Sequence, residues 1–593
     1  MCGIIGYAGK RDTAEVLIGG LKKLEYRGYD SAGIALEKEG KIDIYKNKGK
    51  VAVLEEQVSG KDTAGARIGI GHTRWATHGA PSDVNAHPHR SGKVVLVHNG
   101  IIENDRELRA ELAAKGIRPV SDTDTELIAL LLNKLYTGDP IPALRAASAR
   151  LEGSYALGVL FEDHPGKLYA LRKDSPLIIG RGEGENFIAS DIPAILEYTH
   201  DYWLMEEGEL AILTEEKVEF LNEADEPIEK AYRTADWDEQ SARKGGYPHF
   251  MAKEIAEQPH VVKETIARYY QNGVLFPEDA LSVKGTIHIV ACGSAYHAGL
   301  LGKYAIEKIA RIPVTVEIAS EFRYADPILT KDDLVVVISQ SGETADSLAA
   351  LRLAKERGIP TLGIVNVWGS SLAREADTVI YTAAGPEISV ATTKAYTCQV
   401  VLLYMLALKL GNPADLQEKC AEMEQLPALI EEVLKQEEAC KELAKLYHEA
   451  KHLFFIGRGQ DYSVSCEGSL KLKEISYVHS EAYAAGELKH GTISLIEEGT
   501  PVIAVMTDRS RIAKTAGNIR EVHSRGAKVL CITYADVDIS SFGDHRLTLP
   551  DCSDFISPIP GVILTQLFGY HVAVARGNDV DQPRNLAKSV TVE

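Results

Sequence analysis

The second half of this chain contains itself twice. Shifted by 166 residues, Ile287–Gly293 (IHIVACG) falls on Leu453–Gly459 (LFFIGRG). Shifted by 167, Leu334–Ser339 (LVVVIS) falls on Pro501–Met506, Thr361–Val365 on Lys528–Ile532, Asp377 on Asp544 and Gln399 on Gln566. Four strand-like segments in one order at nearly one offset argue for a duplicated α/β unit, against the alternative that parallel α/β domains look alike by chance. The segments are short apolar runs separated by helical stretches, as expected for strands buried on both faces of a parallel sheet. Residues 249–424 and 425–593 are therefore expected to form two doubly wound α/β subdomains.

Residues 1–236 read differently. Short β-rich runs recur at Ile4–Tyr7, Gly33–Leu36, Ile68–His72, Val94–His98, Ala156–Phe161, Lys167–Leu171 and Glu209–Leu213. Thr13–Leu24 and Asp124–Tyr136 carry helical periodicity between them. This is the pattern of a layered α+β domain. Residues 237–248 (WDEQSARKGGYP) are polar, with two glycines and a proline, and read as a linker.

The balance of 65 Lys and Arg against 85 Asp and Glu leaves a net charge of −20, which argues against nucleic acid and anionic membrane as partners. The eight cysteines include no CxxC and no zinc spacing with histidine, so neither a metal nor a disulfide framework is expected. The apolar run Val400–Leu408 is too short to span a bilayer, and the first residues lack a signal-peptide pattern. A cytoplasmic protein with no cofactor is the resulting expectation.

Chemistry begins at Cys2. Once Met1 is removed, Cys2 carries a thiol and a free α-amine, whose ordinary pKa near 7.7–8.0 suits it to accept the thiol proton. A thiolate attacking an amide needs donors for the developing oxyanion. Asn99 and Gly100, at the end of the Val94–His98 run, are of the right type, although Asn-Gly is also an ordinary turn dipeptide. Arg74 suits a carboxylate and Asp124 an ammonium, so the two together would grip an amino acid by both polar ends. Asp124 equally suits a plain helix N-terminus.

Cys2–Gly6 (CGIIG), Glu25–Gly33 (EYRGYDSAG), His72–Gly79 (HTRWATHG) and His98-Asn99-Gly100 closely resemble the N-terminal-nucleophile glutamine amidotransferase domain. The resemblance implies an αββα fold over residues 1–236 and hydrolysis of glutamine by Cys2. It assigns the oxyanion hole to Asn99 and Gly100. Arg74, Thr77 and Asp124 would hold glutamine, with His78 and His87 lining the pocket.

In the second half, Ser339-Gln340-Ser341-Gly342-Glu343-Thr344 follows an apolar strand and opens a helical pattern. Hydroxyls and N–H groups at such a junction suit a phosphate, and without a P-loop lysine a sugar phosphate fits better than a nucleotide. An N-cap cluster has the same composition. Glu467, Lys471 and Glu474 share one helical face at i, i+4 and i+7, which describes either a surface ion-pair ladder or a carboxylate that moves a proton. His490 is of the type that exchanges a proton with a ring oxygen near neutral pH. Lys588 sits in an apolar tail, and desolvation there would favour a Schiff base with a ketone.

These motifs resemble the duplicated sugar isomerase domain of the glutamine–fructose-6-phosphate aminotransferase (isomerizing) family, the bacterial glucosamine-6-phosphate synthases, and with the first half the resemblance covers the whole chain. It implies that Ser294, Ser339, Gln340, Ser341, Thr344, Thr392 and Ala587 bind the sugar phosphate. Lys588 would form the imine, and Glu474 would carry a proton from C1 to C2 with Lys471 and Glu467 in support. His490, from a neighbouring copy in a homodimer, would open the ring, and Trp75 would gate ammonia between the two sites. The chain departs from the family at Ala291–Ala295 (ACGSA), where the usual pattern ends in Thr-Ser, so one hydroxyl is missing at 295. The rival readings are another amidotransferase with the same first domain, and a sugar-phosphate sensor with vestigial catalytic residues. Borohydride trapping of a ketose phosphate on Lys588 separates the sensor from an enzyme.

Overall fold

The computed structural model describes residues 2–235, 244–276 and 283–591. They form two compact units, residues 1–242 with 587–593, and residues 243–586. Of the expected linker, residues 237–243 lie outside the described residues.

The first unit has two antiparallel sheets. Eight strands make one, with Gly3–Ala8 paired between Asn186–Ala189 and Ile68–Arg74. Seven make the other, with Val94–Ile102 paired between His89–Ser91 and Gly153–Phe161. Alternation along a strand sends successive side chains to opposite faces. Thus Ile4 joins Ile70, Val95, Val97 and Ala170 in the core between the sheets. Its neighbour Ile5 faces outward to Leu17 and Leu21 of the helix Thr13–Leu24. On the far side, Leu96 and Leu157 pack under Leu127 and Leu131 of the helix Asp124–Leu135. The layers run helix, sheet, sheet, helix, the expected αββα arrangement.

The second unit holds two parallel five-stranded sheets. One is ordered Val314–Ile318, Ile287–Ala291, Leu334–Ser339, Thr361–Val365, Thr378–Tyr381. The other is ordered His479–Ala484, His452–Gly457, Pro501–Val505, Lys528–Tyr534, His545–Leu549. In both, the second strand in sequence lies outside the first, and the third, fourth and fifth follow on the other side. The offset found in the sequence is therefore a repeat of topology. Asp377 and Asp544 do equivalent work: Asp377 Oδ2 accepts from Thr361 N at 3.0 Å, and Asp544 Oδ2 from Val529 N at 2.8 Å, each bracing the start of the neighbouring strand. Gln399 and Gln566 match in position but not in contact. Gln566 Oε1 accepts from Gln258 Nε2 at 2.8 Å, whereas the buried Gln399 amide has no hydrogen-bond partner among the described residues.

Each repeat closes with a buried helix, Lys394–Gly411 and Pro558–Ala575. The latter is long and apolar enough to cross a membrane, but 89% of it is buried inside the protein, so its apolar surface is spent on the core. The helix Leu416–Leu434 runs unbroken through the boundary expected between 424 and 425, with Pro427 inside it. The repeats are joined by a helix there.

Candidate functional sites

Antiparallel pairing sets Gly3 opposite Thr73, which carries Cys2 alongside Arg74 and Trp75. Trp75 N–H donates to Cys2 Sγ at 3.3 Å. Burial pushes the Cys2 thiol up, and the Trp75 N–H and the Arg74 charge only partly oppose it. The resting group is thus a thiol in need of a base. The nearby rings are poor candidates. Burial pushes His72 down to about 3 and His87 well below the usual histidine range, helped by neighbouring positive charge.

Asn99 Nδ2 donates to Cys2 O at 3.0 Å and to Ser190 Oγ at 2.8 Å. His72 Nε2 lies 3.1 Å from Asn99 Oδ1 and 2.9 Å from His98 O, so it acts as a donor to both and turns the Asn99 amide nitrogen toward Cys2. His87 stacks behind His72, with ring centroids 4.0 Å apart. Gly100 has φ +134°, and a Cβ there would lie 2.0 Å from Ser154 O, so the backbone beside Asn99 admits only glycine. Arg27 Nε also reaches Cys2 O, at 3.3 Å. Ser190, Arg27 and His72 carry no local signal of these contacts, which arise from strands brought together over long separations.

Arg74 is buried. Its Nη2 donates to His78 O and to Gly79 O at 3.0 Å, and its buried Nη1 has no hydrogen-bond partner among the described residues. A buried guanidinium N–H without an acceptor is costly, and a ligand carboxylate would satisfy it. Asp124 stands in the first turn of its helix, which Thr123 caps, and accepts from Ile102 N of the neighbouring strand at 3.0 Å, while lying close enough to act on the charges of Cys2 and Arg74. Trp75 is half-buried and edge-on to Tyr29 at 6.0 Å. Thr77 is exposed and His78 half-buried in the loop that Arg74 holds.

In the second unit, the loop after Leu334–Ser339 is shaped by its own hydroxyls. Ser339 Oγ accepts from Gly342 N at 3.0 Å and lies 3.2 Å from Thr344 Oγ1, and Ser341 Oγ accepts from Glu343 N at 3.2 Å. Ser339 is buried, while Gln340, Ser341 and Thr344 are half-buried at the start of the helix Ala345–Glu356. Thr392, also half-buried, precedes Thr393, whose N–H donates to Glu387 Oε1 at 3.0 Å.

The 467–474 face is not a surface ladder. Glu467 and Lys471 are 0% and 1% exposed in their side chains, and Lys471 Nζ lies 3.5 Å from Glu467 Oε1 and 2.6 Å from Glu474 Oε2. Burial alone would push the Lys471 ammonium down, but Glu474 and Glu467 outweigh it and hold Lys471 above the usual lysine range. Ser294 does not face outward: its Oγ donates to Glu467 Oε1 at 2.9 Å. His490 is exposed in the short turn Glu487–His490. Ala587 and Lys588 are half-buried and belong to the first compact unit, whereas the other sugar-phosphate candidates belong to the second.

The second repeat closes its own copy of the phosphate-type loop. Asp461 stands, at the 166 offset, where the first repeat has Ala295, and it is fully buried. Its Oδ1 accepts from Thr507 N at 3.1 Å and Thr507 Oγ1 at 2.6 Å, the loop groups that match Gln340 at the 167 offset. Burial pushes the Asp461 carboxyl up to about 7 in spite of these donors. An unfolded aspartate titrates near 3.9, so between about pH 4 and pH 7 the folded state keeps a proton that the unfolded state has lost. Stability therefore falls as pH rises through that window, by up to about 4 kcal/mol. Asp461→Asn is expected to flatten this part of the pH profile. Urea midpoints of the two proteins at pH 5 and pH 8 measure it, and parallel profiles would rule the effect out.

Family models match the chain in three places: a SIS domain over residues 280–409 and again over 446–576, and a glutamine amidotransferase domain over residues 72–197. The last begins beyond Cys2. Full-length relatives cover the remainder. The chain is 50% identical to the glutamine–fructose-6-phosphate aminotransferase [isomerizing] of Clostridium tetani and 46% identical to that of Thermus thermophilus, in both cases over 100% of each chain. Among solved structures, the C-terminal domain of glucosamine-fructose-6-phosphate aminotransferase from Francisella tularensis matches 57% of this chain and 100% of its own, at 41% identity and a TM-score of 0.55.

Proposed function

Because the chain belongs to the glutamine–fructose-6-phosphate aminotransferase (isomerizing) family, we propose that its two units divide one reaction between them. The amide nitrogen of L-glutamine is released at Cys2 and appears at C2 of glucosamine 6-phosphate, with glutamate as the other product. This commits fructose 6-phosphate to amino-sugar synthesis. One pairing of observations carries the reading: a thiol held by the Trp75 N–H beside the Asn99 amide in the first unit, and a buried Glu467–Lys471–Glu474 triad in the second.

In the first unit, the Cys2 thiol gives its proton to the α-amine and attacks the side-chain carbonyl of glutamine. Asn99 Nδ2 and the Gly100 N–H receive the oxyanion. Ammonia leaves, and water then cleaves the thioester to glutamate. Arg74 takes the α-carboxylate through its spare Nη1, Asp124 the α-ammonium, and Thr77, His78 and His87 shape the pocket. In the second unit, Gln340, Ser341 and Thr344 bind the phosphate on the loop that Ser339 shapes, with Thr392 following in the same repeat. The Lys588 amine condenses with the C2 ketone of the open-chain sugar and loses water. Ammonia displaces the lysine from C2, and Glu474 moves a proton from C1 to C2 to give the aldose amine. His490 of a neighbouring copy opens the ring, so the working form is a homodimer, and the reaction is cytoplasmic, with neither nucleic acid nor membrane involved. Ammonia in bulk water would be protonated and lost as a nucleophile, so it travels under cover, with Trp75 as the gate.

The test is glutamine labelled with nitrogen-15 at the amide, supplied with fructose 6-phosphate in a buffer containing unlabelled ammonium. The label is expected at C2 of the amino sugar. Dilution of the label to the bulk ammonium ratio would overturn the guarded transfer, and absence of any amino sugar would overturn the function.

A further inference from the structure

The relay face of the helix Gln460–Ser476 does not stand alone. Glu467 is fully buried, and both of its oxygens are engaged. Oε1 accepts from Ser294 Oγ at 2.9 Å and faces Lys471 Nζ at 3.5 Å, while Oε2 lies 2.9 Å from His297 Nδ1. Ser294 and His297 both lie on the helix Gly293–Ile309 of the first repeat, one turn apart, so the first repeat supplies a two-pronged clamp on a carboxylate of the second.

The clamp has a consequence for Lys471. Its ammonium sits between two carboxylates and is held closer to Glu474, at 2.6 Å, than to Glu467, at 3.5 Å. A carboxylate that receives hydrogen bonds on both oxygens spreads its charge over those donors and competes less for a neighbouring cation. From this geometry we infer that His297 is a positioning residue for sugar isomerisation. By donating from Nδ1 to Glu467 it leaves Lys471 on Glu474 and so fixes the carboxylate that moves the proton. The inference rests on the assignment of Glu474 given above. Without the His297 donor, Glu467 draws Lys471 back and Glu474 loses the partner that orients it.

The experiment uses the full-length protein with saturating L-glutamine, and glutamine hydrolysis is measured alongside so that a loss at that step is read separately. His297→Leu removes the donor, whereas His297→Asn places an amide N–H about where Nδ1 stands. His297→Leu is expected to lower kcat for glucosamine 6-phosphate formation by about 10- to 100-fold, the size of one hydrogen bond to a charged group. The KM for fructose 6-phosphate and the rate of glutamine hydrolysis should stay within about 3-fold, less than the change expected from a lost substrate contact. His297→Asn should recover most of the lost kcat. An unchanged kcat in His297→Leu overturns the inference. So does an equal loss in both variants, or a loss that falls on KM and glutamine hydrolysis together. Glu474→Gln is measured alongside: if it still makes amino sugar at the native rate, the assignment of Glu474 fails, whereas an inactive Glu474→Gln with a native-like His297→Leu sinks only the role of His297.

Discussion

Cys2→Ala is expected to abolish glutamine-dependent synthesis while leaving fructose 6-phosphate binding intact. The structure offers nothing to replace the thiol. Trp75 N–H and Asn99 Nδ2 bracket residue 2 and would still bind and polarise an amide. No bond to carbon could form, however, and loss of a covalent nucleophile costs roughly 10⁴-fold or more. Cys2 lies in the first compact unit and the Glu467–Lys471–Glu474 triad in the second, so the substitution leaves the triad untouched. Assays of amino-sugar formation from glutamine and of fructose 6-phosphate binding make the comparison. Loss of both would mean that residue 2 supports the whole fold rather than one chemical step.

Lys471→Met should be nearly as severe, and for a different reason. The change keeps the length of the side chain but leaves two carboxylates facing each other without a cation, one of them wholly buried and the other at 19% exposure. Breaking a buried ion pair by removing one partner costs about 3–5 kcal/mol. For a unit of this size that lowers the thermal midpoint by about 5–10 °C. Activity should fall below detection, because Glu474 loses the ammonium that lies 2.6 Å from its Oε2. Adding Glu474→Gln to Lys471→Met removes one of the stranded charges, so part of the stability should return while activity does not. Calorimetry on the single and double variants decides. A double variant less stable than Lys471→Met alone would show that the triad is not governed by charge.

Much of this architecture was legible in the sequence. The helix Thr13–Leu24 has the bounds its periodicity gives, and Thr361–Val365 falls on its strand. The repeat was visible because buried parallel strands are short continuous apolar runs, which are easily aligned with one another. The edge strand Lys41–Lys48 was missed, since the exposed Lys41, Asp43 and Lys48 break up the apolar run and leave Ile42, Ile44 and Tyr45 to mark it. The burial of Glu467 and Lys471 was not legible either. An i, i+4, i+7 charge pattern is the same in sequence whether water or protein lies over it. The signal lay beside it, in Ser465, Gly468 and Ser469, whose small side chains let other elements close over the helix: a Cβ on Gly468 would meet Phe455 and Thr565 at 2.9 Å. The resemblance alone assigns Ser294 to the sugar phosphate, and nothing near it in sequence announces the carboxylate 173 residues away to which its hydroxyl donates. His297 gave no signal at all, since a single histidine on a helix acquires meaning only from what the fold sets opposite.

The clamp that the 293–309 helix places on Glu467 also bears on how such a protein can be taken apart. Tandem copies descended from one ancestor often survive as separable modules, each able to fold when expressed by itself. Here, severing the chain between the repeats would strand a charged oxygen pair in a dry interior without either of its donors, and would expose the flank that now covers it. The two copies have become obligate halves, and the smallest fragment that can retain isomerase chemistry contains both.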